Sequence, residues 1–277
     1  MSTAENAERI IRIVEMRLKY LGFFFAFALV FLFYFSPVIF YSPGSRTFGY
    51  WGDKMGLIAR LERGDFTEFF LNQPILRWSI LAGSKFLPPF TVYNLIVLLS
   101  FPLSYLFAYK LFRRFFDPRL AFTLGTIFTF SPYHIYKIYN HVALSQIWVF
   151  PLCFSALLDF DEEVSLKNTL KLAGTLALTT LISNYYGYFM LLIVFCFFVI
   201  RWIQTRSVGK AYLTKNAIKS YLILTATYLL LMIPFLLPYF RANYLGGPLT
   251  SPSGRPLKSE RGLTDFVAFS ARPWYFI

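Results

Sequence analysis

Two cysteines and two histidines are all that this 277-residue chain holds of the usual redox and metal-binding side chains. Cys153 and Cys196 both fall within long apolar runs, where a thiol acts as a small apolar side chain. Neither a disulfide framework nor a cysteine-based metal site is expected. His134 and His141 stand seven residues apart with no third ligand beside them, too little for a zinc centre. Charge is scarce as well: 15% of residues are charged, against 57% hydrophobic and 21% aromatic. That balance excludes an ordinary soluble domain of this length. Acidic residues are scarcest, 14 against 27 lysines and arginines, leaving a net charge of +13. The basic excess is spread over loops and helix ends instead of one soluble face, which argues against nucleic acid as a partner and for membrane lipids.

The chain is rich instead in uncharged apolar length. Residues 20–45, 86–109, 138–158, 172–200 and 220–240 carry no formal charge, and about 20 apolar residues suffice to cross a bilayer. The run 172–200 exceeds one crossing and is interrupted by the turn-competent Ser183-Asn184-Tyr185-Tyr186-Gly187, so it reads as a helical hairpin. The expected fold is all-α, a polytopic transmembrane bundle of about seven crossings near 20–41, 90–109, 120–136, 142–158, 168–184, 186–200 and 220–240. The domain plan is a basic N-terminus (1–19), a helical domain (20–240) with an external loop (42–89) that carries amphipathic helices, and an external segment (241–277). The apolar stretch after Tyr20 is too long for a cleavable signal and is expected to remain as an anchor.

Lysines and arginines set the orientation. Arg9, Arg12, Arg17 and Lys19 precede the first span; Lys110, Arg113, Arg114 and Arg119 come after the second; Arg201, Arg206, Lys210, Lys215 and Lys219 separate the sixth from the seventh. Seven crossings place all three groups on the cytoplasmic side, with the first loop and the C-terminal segment outside. The apolar ending Trp274-Tyr275-Phe276-Ile277 gives the expectation of further chain beyond it.

Within this frame three clusters carry chemistry. Asp53, just beyond the first span, suits a general base that takes a proton from an attacking hydroxyl within about 3 Å; the plainer reading makes it a helix N-cap. A helix over 132–142 would set His134, Lys137 and His141 on one face at i, i+3 and i+7, with Ser131 and Pro132 as N-cap and N1. That stripe suits a lipid phosphate, and interfacial anchoring beside Tyr133, Tyr136 and Tyr139 is the plainer alternative. Tyr185 and Tyr186, at the outer hairpin turn, can stack on a sugar or its carrier, or simply anchor in the aromatic belt. Asp159-Phe160-Asp161 imitates a metal-binding DxD but lies in the acidic run 159–163 without a nucleotide-binding sheet, and reads as a solvated loop.

These motifs, in this order, carry a family resemblance. Gly52-Asp53 after the first span, Tyr93-Asn94-Leu95 opening the second, Phe130-Ser131-Pro132-Tyr133 with His141, Gln146-x-Trp148-x-x-Pro151-Leu152, and Ser183-Asn184-Tyr185-Tyr186-Gly187 resemble the N-terminal half of integral-membrane GT-C glycosyltransferases, near the YfhO-like group. The resemblance covers residues 20–270. It implies transfer of a sugar from a polyprenyl-phosphate-linked donor to an acceptor outside the membrane. Asp53 would be the catalytic carboxylate, with no assigned cofactor and an open metal requirement. It also implies a second half absent from these residues. A transporter or lipid flippase, marked by breaks at Pro102, Pro151 and Pro234, and an inactive truncated scaffold are the alternatives; donor sugar, acceptor and oligomeric state are open.

Overall fold

Proline opens four helices in succession, because its fixed φ suits the first helical position and its missing N–H costs nothing there. In the computed structural model, which describes residues 73–206 and 215–244 together with Arg17, Leu21, Gly22, Phe25, Ala28 and Leu29, these are α1 (Pro74–Gly83), α2 (Pro89–Phe112), α3 (Pro118–Thr129) and α4 (Pro132–Asn140). Four more complete the order: α5 (Val149–Glu162), α6 (Leu166–Ile182), α7 (Asn184–Arg206) and α8 (Lys215–Tyr244). Short polar side chains cap three starts. Asp117 accepts from the amides of Arg119 and Leu120 at α3, Ser131 from His134 at α4, and Ser165 from Asn168 at α6. No strand occurs among the described residues; the fold is all-α.

Three helices, α2, α7 and α8, are long and apolar enough to cross a membrane. The crossing expected at 120–136, as a tilted or broken one, is two helices, since α3 stops before Ser131-Pro132 and α4 restarts there. The expected crossing at 142–158 begins late. Residues 142–148 form turns, held by Gln146 Nε2 donating to the Val142 carbonyl (3.2 Å) and Ser145 Oγ (3.1 Å), and by Trp148 Nε1 donating to Gln146 Oε1 (2.8 Å). With its side-chain amide so engaged, Gln146 is buried without a helix around it. The crossing expected at 20–41 lies outside the described residues apart from five scattered positions. One of them, Gly22, faces α2: a Cβ there would come within 2.1 Å of the Tyr105 ring.

Helix α6 is the hub, packing on α1, α5, α7 and α8, while α2 packs on α1, α3 and α5. The close approach of α6 to α7 needs Gly187, where a Cβ would stand 2.3 Å from Thr180 Oγ1 and 2.6 Å from Thr180 Cα. One core joins Tyr93, Val97 and Phe101 of α2 to Ile138 of α4, Ile147 and Tyr186. A second joins Cys153, Leu157 and Phe160 of α5 to Leu172 and Leu176 of α6 and Met190 of α7. The remaining apolar surface is turned outward. Half of the most apolar window of α2 is buried, but only 11% of that of α8. In a bilayer such a face needs no cover, because lipid tails are as apolar as leucine.

Candidate functional site

Helices α4 and α7 meet through two tyrosines. Tyr186 Oη donates to the carbonyl of Leu144, and Tyr133 Oη lies 3.0 Å from Tyr186 Oη. A carbonyl only accepts, so the Tyr186 proton is committed to Leu144 and Tyr133 must be the donor in the second bond. Tyr186 is 3% exposed, packed at a tilt against Phe150 with ring centroids 4.5 Å apart, while Tyr133 is partly open. Lys137, one turn along α4, holds its ammonium 5.4 Å from the Tyr133 ring centroid and 5.3 Å from that of Tyr136, within cation–π range. Tyr185 and Tyr188 are exposed on the first turns of α7. Two clusters that the sequence offered separately, Lys137 and Tyr185-Tyr186, thus lie at one end of the bundle.

The expected basic stripe does not form as drawn. His134 is fully buried. Its Nδ1 lies 2.6 Å from the Thr129 carbonyl, which forces Nδ1 to carry a proton, and its Nε2 lies 2.9 Å from Ser100 Oγ of α2. The ring lies against Phe101 with centroids 4.3 Å apart. A histidine that satisfies both nitrogens inside the bundle gains more by turning inward than by facing the interface, so His134 is out of reach of a ligand beside Lys137. His141 leaves the register too. Helix α4 ends at Asn140, and His141 is its C-cap in extended conformation (φ −143°, ψ 103°), so the i+7 spacing no longer defines a face. Asp53 lies outside the described residues. Tyr133, which the sequence offered only as belt, is the residue that joins α4 to α7; its signal was adjacency to Pro132 at a helix start.

The acidic run 159–163 is not a solvated loop. It forms the last turn of α5 and its C-cap, Glu163, with Phe160 buried. Arg114, just after α2, bonds Asp159 and Glu162 at 2.6 Å each and the Ser155 carbonyl at 3.0 Å. Lys171 of α6 pairs with Asp159 and Arg201 of α7 with Asp161. Four helices are therefore clamped at this end. Burial raises the Asp159 pKa, but the hydrogen bonds and charges of Lys171 and Arg114 outweigh it and hold the carboxyl below its ordinary value. Among the described residues no three His, Cys, Asp or Glu side chains come together as a metal site.

No curated protein and no solved structure matches the chain. A family profile described as Domain of unknown function (DUF6311) matches residues 74–247, which begin at the first residue of α1 and end three residues after α8. That match spans more than half of the chain, which therefore belongs to the DUF6311 family.

Proposed function

We propose that this chain is a membrane glycosyltransferase that moves a sugar from a polyprenyl-phosphate carrier to an acceptor on the extracytoplasmic side. The observation that supports this most is the Tyr133–Tyr186 hydrogen bond. It gathers a lysine and several open tyrosine rings at the end of a bundle with three membrane-length helices. Aromatic faces suit sugar stacking, and a lysine at headgroup depth suits a phosphate. In the seven-crossing topology this end faces outward, with α3 and α4 as one broken crossing and the turns at 142–148 leading into another. The N-terminus and the Arg114–Asp159 clamp are then cytoplasmic.

Each residue's role comes from its chemistry. The acceptor hydroxyl attacks the anomeric carbon, its proton passes to the Asp53 carboxylate, and the bond from that carbon to the phosphate oxygen breaks, leaving the phosphate on the carrier. Lys137, with His141 nearby in sequence, stabilises the charge on the departing phosphate. Tyr185 and the Tyr133–Tyr186 pair position the sugar. His134 supports this arrangement from inside the bundle by tying α4 to α2. The test is turnover in lipid nanodiscs with a panel of radiolabelled polyprenyl-phosphate sugars, using this chain and a longer form. Transfer that is lost in Asp53→Asn is expected. Full turnover in that variant, or none from any donor in either form, refutes the assignment.

A further inference from the structure

Helix α2 is flanked by two turns of the same design. Three residues before Pro89, Phe86 is 87% exposed, with Lys85 and Leu87 exposed beside it. Three residues after Phe112, Phe115 is 59% exposed, with Phe116 and Leu120 open beside it. Neither ring hangs from a loose chain. The amides of Phe86 and Leu87 both donate to the Gly83 carbonyl at 3.0 Å, and those of Phe115 and Phe116 both donate to the Phe112 carbonyl at 3.0 Å. The backbone therefore presents both sets of rings in fixed positions.

The spacing identifies the medium that receives them. The 24 residues of α2 span about 36 Å at about 1.5 Å per residue. That exceeds a hydrocarbon core of about 30 Å and falls short of the roughly 40–45 Å that includes headgroups. One exposed phenylalanine beyond each end thus falls at the headgroup–acyl boundary of each leaflet, where an apolar ring can dip into the hydrocarbon while its backbone stays in the polar layer. A protein partner would have no reason to demand two patches at that separation on opposite ends of one helix.

Charge distinguishes the two ends. The Phe86 turn has Lys85. The Phe115 turn has Lys110, Arg113 and Arg119 besides the clamped Arg114, against one carboxylate, Asp117, which caps α3 and keeps its charge. We propose that the two turns are a matched pair of bilayer-interface anchors, the Phe115–Phe116 turn seated in a leaflet rich in anionic lipid. This does not depend on the glycosyltransferase reading: it fixes where the bundle sits in the bilayer whatever the bundle catalyses.

The experiment uses the full chain with Cys153 and Cys196 replaced by alanine, a nitroxide attached at Phe86→Cys or Phe115→Cys, and reconstitution into phosphatidylcholine vesicles with or without phosphatidylglycerol. Power saturation against oxygen and a water-soluble nickel chelate reads depth. Both labels are expected at the headgroup–acyl boundary, with the label at 115 moving deeper when phosphatidylglycerol is present, and Arg119→Gln reducing that movement. Three results overturn the proposal: a label as open to the nickel chelate as a free aqueous loop, a label shielded from both reagents as by a protein partner, or a label at 115 indifferent to phosphatidylglycerol. Phe86 and Phe115 are exposed, and because Cys153 lies in the core, a labelled chain that keeps this buried thiol is measured alongside; the same three results there overturn the proposal equally.

Discussion

The imidazole of His134 bridges Ser100 on α2 and the Thr129 carbonyl at the end of α3, at 2.9 and 2.6 Å. The Thr129 bond fixes the proton on Nδ1, so in a neutral ring Nε2 can only accept, and Ser100 is the hydroxyl within reach of it. Ser100 Oγ also donates to the Val97 carbonyl at 2.7 Å, so its single proton is shared between two acceptors, that carbonyl and Nε2. Ser100→Ala leaves a buried Nε2 without that donor and should cost about 1–3 kcal/mol of stability. Reversible unfolding in mixed micelles measures the loss, and nitrogen-15 spectra of labelled histidine should show the Nδ1–H tautomer at neutral pH. A Ser100→Ala variant as stable as the parent would mean that this bond carries no net weight.

The two tyrosines should differ. Tyr186→Phe removes the bond to the Leu144 carbonyl and the acceptor for Tyr133, whereas Tyr133→Phe removes only one bond. With a typical net worth of about 0.5–1.5 kcal/mol per hydrogen bond, Tyr186→Phe should cost about twice as much. The double variant should cost little more than Tyr186→Phe alone, because the second bond is already gone. Hydrogen exchange should rise in residues 142–148 in the Tyr186→Phe protein and not in the Tyr133→Phe protein.

Helices α2, α7 and α8 were legible in the sequence because uncharged length is a property of single runs. The break at Ser183 was legible because a polar cluster in the middle of such a run has few other uses; α6 ends at Ile182 and α7 begins at Asn184. Where a polar side chain finds its partner could not be read in this way. His134 turns inward because Ser100, 34 residues away, offers a hydroxyl. The acidic run 159–163 is part of a clamp because Arg114 and Lys171 reach it from two other helices. Helical spacing reports which residues share a face, but not which face the bundle buries. Residue Asp53 was legible only through its place after the first span, and its surroundings lie outside the described residues.

Substitution at Gly187 tests the α6–α7 contact. A Cβ there meets Thr180 Cα at 2.6 Å as well as the movable Oγ1, so the helices must separate. Gly187→Ala should cost about 1–3 kcal/mol, as overpacking does. Removing the hydroxyl in Gly187→Ala/Thr180→Ala should recover only part of this, because the Cα clash remains. Full recovery in the double variant would place the strain in the side chain and not in the helix spacing.

Carrier binding should depend on Lys137 more than on His134. Loss of a charge that contacts a phosphate costs about 1–3 kcal/mol, or about fivefold to 150-fold in affinity. Lys137→Ala should weaken binding of a fluorescent polyprenyl phosphate about tenfold or more without changing thermal stability. In His134→Ala stability should fall first, since its ring has no exposed surface. Equal carrier affinity in the parent and Lys137→Ala would leave Lys137 as a partner of Tyr133 and Tyr136 only.

The clamp at the other end gives a pH dependence whose sign can be worked out. Asp159 is held below its ordinary pKa in the folded protein, by Lys171 and Arg114 against the opposing effect of burial. The unfolded chain has the ordinary value, about 3.9. A carboxylate with a depressed folded pKa stabilises the fold above its unfolded pKa, and that contribution falls away as the pH drops through the folded value. Between pH 7 and about 5 the clamp should therefore contribute a constant amount, and below about 4 it should weaken. Arg114→Gln removes the partner shared by Asp159 and Glu162, so the variant should be less stable at neutral pH and lose less on acidification. Unfolding measured in micelles from pH 7 to 3, for the parent and Arg114→Gln, compares the two slopes. Parallel curves would show that the Arg114 pairs do not set the acid sensitivity of the bundle.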